Sequence, residues 1–281
     1  MKSGKPSRTA LAAARYRAVH QVLENGSIFS DPLAMRILGE KPEDVIQDAM
    51  KHPDKQRMRM FVAARSRLAE DALAQAVKNC VHQLVILGAG LDTYAYRSQF
   101  GDCLHIFEVD HPATQVWKRQ RLLEAGIPLP SWLTFAPVDF EHETLSRCLL
   151  SAGFNPEQQA FFSWLGVVPY LTETAIWSAL EYIASLPNGA HVVFDYSNSP
   201  SSYSISARMA YDKRASGAAM LGEAFITHFD TERLHEKLKS MGYVCIEDFG
   251  PQEIAKCFYP NTANPVFKNG GHIIHVSTIE S

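Results

Sequence analysis

Five short apolar runs, each closed by an acid or a glycine turn, recur between residues 83 and 195 and constrain this chain most. They are Gln83 to Leu87, His105 to Asp110, Thr134 to Asp139, Ala160 to Leu165 and His191 to Asp195. Continuous rather than alternating hydrophobicity is how a strand buried on both faces reads. Amphipathic helical segments lie between several runs. The clearest is 172–186, with Ile176, Ala179, Leu180 and Ile183 on one face. Strands alternating with helices predict an open α/β sheet, parallel in its main part and covered on both faces. Two later runs, 243–249 and 272–279, are separated by a loop rich in Pro and Asn and allow an antiparallel pair at the end.

The first 80 or so residues read as helical. Residues 9–23 place Leu11, Ala14, Ala18 and Val22 on one face, and Asp31-Pro32 looks like an N-cap followed by proline at the first helical position. A polar stretch, 39–56, precedes a helix over about 58–78. After the fifth run, residues 196–204 form a polar, turn-rich segment, followed by a helical insert over 205–221. Asp230 then caps a helix that carries Leu234, Leu238 and Met241 and ends at Gly242. A length of 281 residues allows one domain or two. Because the strand series starts near residue 83 and the early helices supply Arg65 to the same proposed site, we expect one domain. Its parts are a helical cap (1–80), a nucleotide-binding core (81–198), an insert or lid (199–228) and the remainder of the core (229–281).

Composition narrows the partners. Lys plus Arg is 27 against 30 for Asp plus Glu, so no basic excess exists to neutralise a nucleic-acid backbone. No apolar run approaches the roughly 18–20 residues needed to span a bilayer. The polar start of the chain has no signal-peptide core, which leads us to expect a cytoplasmic protein with neither nucleic-acid nor membrane partners. The five cysteines are scattered with no C-x-x-C, against both a disulfide framework and a zinc site. His272 and His275 stand three apart in an apparent strand, where they face opposite sides, so no metal is expected.

The chemistry-bearing residues sit where the runs end. Gly88-Ala89-Gly90 lets the backbone turn tightly beside a ligand, but Thr93 takes the place of the third glycine of a dinucleotide fingerprint. Asp110 follows Gly90 by twenty residues, where an acid meets ribose hydroxyls; capping of the next helix is the competing role. Glu108 is the rival acid, and Asp110 is preferred because it ends the strand. Asp139 and Phe140 could accept from an exocyclic amine and stack on a purine, or form a turn beside the core. Arg65 falls on the apolar stripe of its helix and needs an anion, either an internal carboxylate or a ligand's; Arg67 points elsewhere. This set suits S-adenosylmethionine, with its ribose on an acid, adenine at Asp139-Phe140, and the methionine carboxylate at Arg65 and the glycine turn.

At this point the chain resembles the leucine carboxyl methyltransferase family of class I methyltransferases, particularly its bacterial branch. The resemblance is carried by Ser7 to Ala10, Asp31 to Ala34, Ala63 to Arg67, Leu87 to Thr93 with Tyr96-Arg97, Phe107 to Asp110 with Pro112, Gly166 to Thr172, and Phe194-Asp195-Tyr196. It implies a Rossmann-like sheet of seven strands whose last pair is antiparallel. It also implies S-adenosylmethionine as cofactor, held at Arg65, Gly88, Ala89, Gly90, Asp110, Asp139 and Phe140. Members that methylate a protein C-terminus carry a cofactor-contacting glutamate where this chain has Leu165, which argues against simple transfer of the protein-phosphatase substrate.

The expected reaction is O-methylation of a small-molecule or peptide acceptor. A carboxylate acceptor needs no general base, whereas a phenol or alcohol does. No histidine stands out at a strand's C-terminal end, which favours a carboxylate. Tyr170 and Tyr196 are the first candidates for acceptor contact, and Tyr203 and Arg208 the next. A non-catalytic nucleoside-binding or scaffold protein and a nicotinamide oxidoreductase are the alternatives; Thr93 counts against the latter.

Overall fold

The computed structural model describes residues 7–138, 143–220, 224–259 and 269–280. Its seven strands are β1 (Gln83–Leu87), β2 (His105–Asp110), β3 (Leu133–Pro137), β4 (Ala160–Trp164), β5 (Ala190–Ser197), β6 (Cys245–Phe249) and β7 (Gly271–Ser277). They form one sheet in the order β3-β2-β1-β4-β5-β7-β6. This is the expected seven-stranded α/β sheet with its last pair antiparallel. The helices are α1 (Arg8–Leu23), α2 (Ala34–Leu38), α3 (Pro42–Met50), α4 (Gln56–Lys78), α5 (Pro112–Glu124), α6 (Leu145–Ser151), α7 (Glu173–Ala184), α8 (Ile205–Met220), α9 (Thr231–Ser240) and α10 (Pro251–Phe258).

The chain divides into two compact units, 1–71 with 83–154, and 72–82 with 155–281. In the first, β1 pairs with β2 and β2 with β3, all parallel. All five residues of β1 are buried, which explains its unbroken apolar run. Each of its four apolar side chains, Leu84 to Leu87, is worth roughly 1.5–3 kcal/mol on leaving water. β3 ends in Pro137, tolerated because an edge strand has one side without ladder bonds. The early helices share their core with the sheet's connections. Ala14, Ala18 and Val19 of α1, Ile37 and Leu38 of α2, and Val45 of α3 cluster with Leu91 and Leu122.

In the second unit, β4 and β5 are parallel, while β7 runs antiparallel to both β5 and β6. α7 starts at the Thr172 cap and buries the four predicted residues, Ile176, Ala179, Leu180 and Ile183. Asp230 caps α9 through the Arg233 amide, as its spacing predicts.

Several local expectations need correction. Residues 39–56 are not merely polar. Pro42 at the first helical position and Glu43 and Asp44 in the first turn start α3, anchored by buried Val45. Asp31 is not the N-cap of α2, which begins at Ala34 after Leu33; its carboxylate instead accepts the Leu33 amide at 3.1 Å and pairs with Arg17. Val22 leaves the apolar face of α1 and is half exposed. The segment between β6 and β7 carries α10, started by Pro251.

Candidate functional site

The glycine turn sits at the C-terminal end of β1. Gly88 and Gly90 both have left-handed backbones, with φ of 66° and 46°. A Cβ on Gly90 would also stand 2.8 Å from the Ala10 methyl of α1, so position 90 is closed to side chains twice over. The amides of Gly88 and Ala89 donate to the Val109 carbonyl at 2.8 and 3.0 Å. The Gly90 amide donates to Asp110 Oδ2 at 2.6 Å. All three amides are thus used within the protein, unlike the amide cradle a pyrophosphate requires.

Asp110 is half-buried at the end of β2, and its other oxygen accepts the His111 amide at 2.6 Å. Burial pushes its carboxyl above the usual aspartate range against the opposing pull of those two amides. A carboxylate offers about four acceptor positions, so one fixed by two amides retains capacity for a diol. That arrangement fits the ribose of the expected cofactor. Asp110 does not cap α5; His111 does, through Nδ1 to the Ala113 amide at 3.2 Å.

Glu108 lies beneath α5. It is fully buried and meets Lys118 Nζ at 2.7 Å, with Tyr96 Oη at 3.3 Å. Burial pushes its carboxyl up to about 7 although Lys118 pulls the other way. This pair escapes sequence reading because its members meet only when α5 folds back over β2.

A second buried network grips the loop after the glycine turn. The Asp31 carboxylate, wholly buried, accepts from Arg17 Nε at 3.2 Å, Thr93 Oγ1 at 2.8 Å and the Leu33 amide at 3.1 Å. Arg17 also donates to the Leu91 carbonyl at 2.6 Å. Arg97 donates to Thr93 Oγ1 and makes a two-pronged pair with Glu70 of α4. Thr93 therefore has a polar task that a glycine could not perform. Arg65 is buried, as its place on the stripe predicts, whereas Arg67 is exposed and paired with Asp71 at 2.7 Å. Asp139 and Phe140 lie outside the described residues.

In the second unit, Leu165 follows β4 half-exposed, and the next amide, Gly166, donates to Asp195 Oδ1 at 2.5 Å. Tyr196 has its hydroxyl engaged within the protein. It is buried, and its hydroxyl meets Asp248 at 2.5 Å, Thr231 at 3.1 Å and His272 Nδ1 at 3.2 Å. Burial and the adjacent Asp248 push its phenol above the ordinary tyrosine range. Arg208 is exposed and pairs with Asp212 one turn along α8 at 2.9 Å. Tyr170 and Tyr203 belong to an aromatic group. Tyr170 lies 5.2 Å from Phe225, Phe225 5.9 Å from Tyr211, and Tyr203 5.7 Å from Tyr211, centroid to centroid. His228, which no sequence signal marks, meets Tyr211 Oη through Nε2 at 2.6 Å. His272 and His275 have separate partners, Asp248 with Asn198 and Glu247 with His191.

The strand order, together with the acid-held glycine turn, defines the class I methyltransferase type of Rossmann-like sheet. The profile of the leucine carboxyl methyltransferase family matches residues 10–184, and this chain belongs to that family. It is 30% identical to the Bacillus subtilis protein named "Putative S-adenosyl-L-methionine-dependent methyltransferase YktD", over 93% of this chain and 94% of that one. A similarly named protein from Mycolicibacterium paratuberculosis is 32% identical over 63% of this chain and 59% of its own length. Among solved structures, an O-methyltransferase family protein from Burkholderia thailandensis aligns with a TM-score of 0.45 at 14% identity, covering 92% of this chain and 71% of that one.

Proposed function

We propose that this family member is an S-adenosylmethionine-dependent O-methyltransferase acting on a carboxylate or hydroxyl of a small molecule or peptide. S-adenosylmethionine-dependent methyl transfer follows from the family; the oxygen acceptor is our reading. The observation that carries it is Asp110, whose carboxylate is fixed by the Gly90 and His111 amides at the end of β2. Asp110 would hold the ribose hydroxyls, and Arg65 the methionine carboxylate. Asp139 and Phe140 would meet the adenine, and Leu165 would contribute an apolar contact. The cofactor supplies an activated methyl group on a sulfonium. The protein's own task is to hold an acceptor oxygen in line and exclude water, which can account for much of the rate.

In this reading residues 1–80 and 199–228 are cap and lid of one methyltransferase domain, working in the cytoplasm without nucleic-acid or membrane partners. No helix among the described residues is long and apolar enough to cross a membrane. The engaged amides of the glycine turn speak against a nicotinamide dinucleotide. Calorimetry with S-adenosylmethionine, S-adenosylhomocysteine and NAD tests the proposal. We expect the first two to bind and NAD not to; NAD binding alone would overturn it. Binding without methylation of any offered acceptor would instead favour a nucleoside-binding protein.

A further inference from the structure

Two carboxylates share one face of β2. Asp110 closes the strand, and Glu108 stands two residues, or roughly 7 Å, before it. α5 returns over that face and buries Thr114 and Lys118, which lie one helical turn apart. Lys118 is 1% exposed and Glu108 not at all.

The resulting ion pair is poorly made. Lys118 Nζ stands 2.7 Å from Glu108 Oε2 yet out of line for a hydrogen bond, and Glu108 Oε1 and Thr114 Oγ1 have no hydrogen-bond partner. Tyr96 brings its hydroxyl to Glu108 Oε2 at 3.3 Å and its ring centre to 5.4 Å from Nζ. Two desolvated charges without aligned hydrogen bonds add little to stability. What they do supply is a positive charge, shielded from water, near the acid assigned to the ribose. Burial works against the ionised form of Asp110; the Gly90 and His111 amides and the Lys118 charge work for it. Asp92 and Tyr96 in the loop after β1, His111 at the head of α5, and Arg119, over the Phe135 ring at 4.9 Å, also stand around the two carboxyls.

We propose that Lys118 is a positioning residue for the cofactor: its buried charge keeps Asp110 ionised to receive the ribose hydroxyls, and Glu108 governs how much of that charge Asp110 feels. This rests on the ribose role of Asp110 in the methyltransferase reading above, and adds to it a pH dependence of cofactor affinity. An ionised Glu108 competes for the ammonium, whereas a protonated one leaves it to Asp110. Burial pushes the Glu108 carboxyl up to about 7 although Lys118 pulls the other way, so the handover falls near neutrality. In acid, where Asp110 is most exposed to protonation, the Lys118 charge is wholly available to it.

The test follows S-adenosylhomocysteine, which carries the same ribose, binding to the full chain by calorimetry from mildly acid to mildly alkaline buffer. Lys118→Met should raise the pH at which affinity is lost by about one unit, and so weaken binding roughly tenfold in mildly acid buffer. Glu108 holds its proton there, so Lys118→Met combined with Glu108→Gln should show the same raised midpoint, although the double variant regains stability. Its profile should meet that of the unaltered protein in alkaline buffer, where Asp110 is ionised in both. Lys118→Met added to Asp110→Asn should weaken binding no further, because an amide has no proton to lose in that range. The proposal is overturned if Lys118→Met keeps the unaltered profile, or if it still weakens binding in the Asp110→Asn background. It is overturned too if the double variant recovers the unaltered profile along with its stability, which is the mark of a merely structural lysine. Asp110→Asn separates the two levels. Unchanged affinity there fails the ribose reading itself, whereas lowered affinity there beside an unshifted Lys118→Met profile fails only the role of Lys118.

Discussion

The Asp110 carboxylate holds the backbone amide of Gly90 at 2.6 Å, tying the end of β2 to the turn that leaves β1. Asp195 does the same for Gly166 at the end of β5, at 2.5 Å. Each acid closes a left-handed glycine turn at the preceding strand's exit.

If Asp110 also receives the ribose, its charge should matter beyond its shape. Asp110→Asn retains an acceptor for the Gly90 amide but loses a charge-assisted bond. We expect S-adenosylmethionine affinity to fall roughly 10- to 100-fold, from about 1.5–3 kcal/mol, by calorimetry. Unchanged affinity would remove Asp110 from the cofactor site.

Asp31 is a stability residue. Replacing it with asparagine leaves Arg17 and Arg97 facing a neutral group in a buried place. Arg97 keeps Glu70 and Arg17 keeps the Leu91 carbonyl, so we expect a loss of about 3 kcal/mol, the low end for a broken buried pair. Urea unfolding would read it, and an unchanged midpoint would contradict it.

The Glu108–Lys118 pair gives a pH dependence of unusual sign. Because folding raises the Glu108 carboxyl from 4.5 to about 7, the folded state binds the proton more tightly than the unfolded one. This residue's contribution to stability therefore falls as pH rises from 4.5 to about 7. Lys118→Met should deepen that fall, and adding Glu108→Gln should abolish it and restore stability beyond the single variant. Unfolding midpoints measured across that range decide the matter.

Glu24 behaves in the opposite way. Burial works to raise its carboxyl, but hydrogen bonds from Arg59 and His20 prevail and bring it from 4.5 down to about 2. Its contribution is present above 4.5 and is lost as pH falls towards about 2. Glu24→Gln should flatten the acid-unfolding curve in that window; an identical curve would show that the pair contributes nothing.

The strands were legible because a strand buried on both faces writes its signature locally, as the five buried residues of β1 do. Asp110 was legible for a similar reason: its spacing from the glycine turn is set by the one short connection between β1 and β2, which holds two 3-10 turns, Tyr94–Tyr96 and Gly101–Cys103, where the glycine turn led us to expect a helix. What could not be read were pairs made across crossovers. Glu108 meets Lys118 only after α5 returns over the sheet, and nothing near His228 announces that its segment bonds to Pro169 and Ser197. Tyr196 shows the converse difficulty. A tyrosine near a strand's end has two faces to choose from, and Asp248 and His272, far along the chain, decide which one its hydroxyl takes.

The place of β7 has a consequence for how the molecule is assembled. β7 lies between β5 and β6, yet it follows β6 in the chain. During synthesis β6 emerges with no neighbour to pair with, and β5 keeps an open rim of unpaired amides and carbonyls until β7 arrives. Both are sticky templates in that interval. The late strand acts as a keystone, and damage to it would leave two raw edges rather than a frayed end.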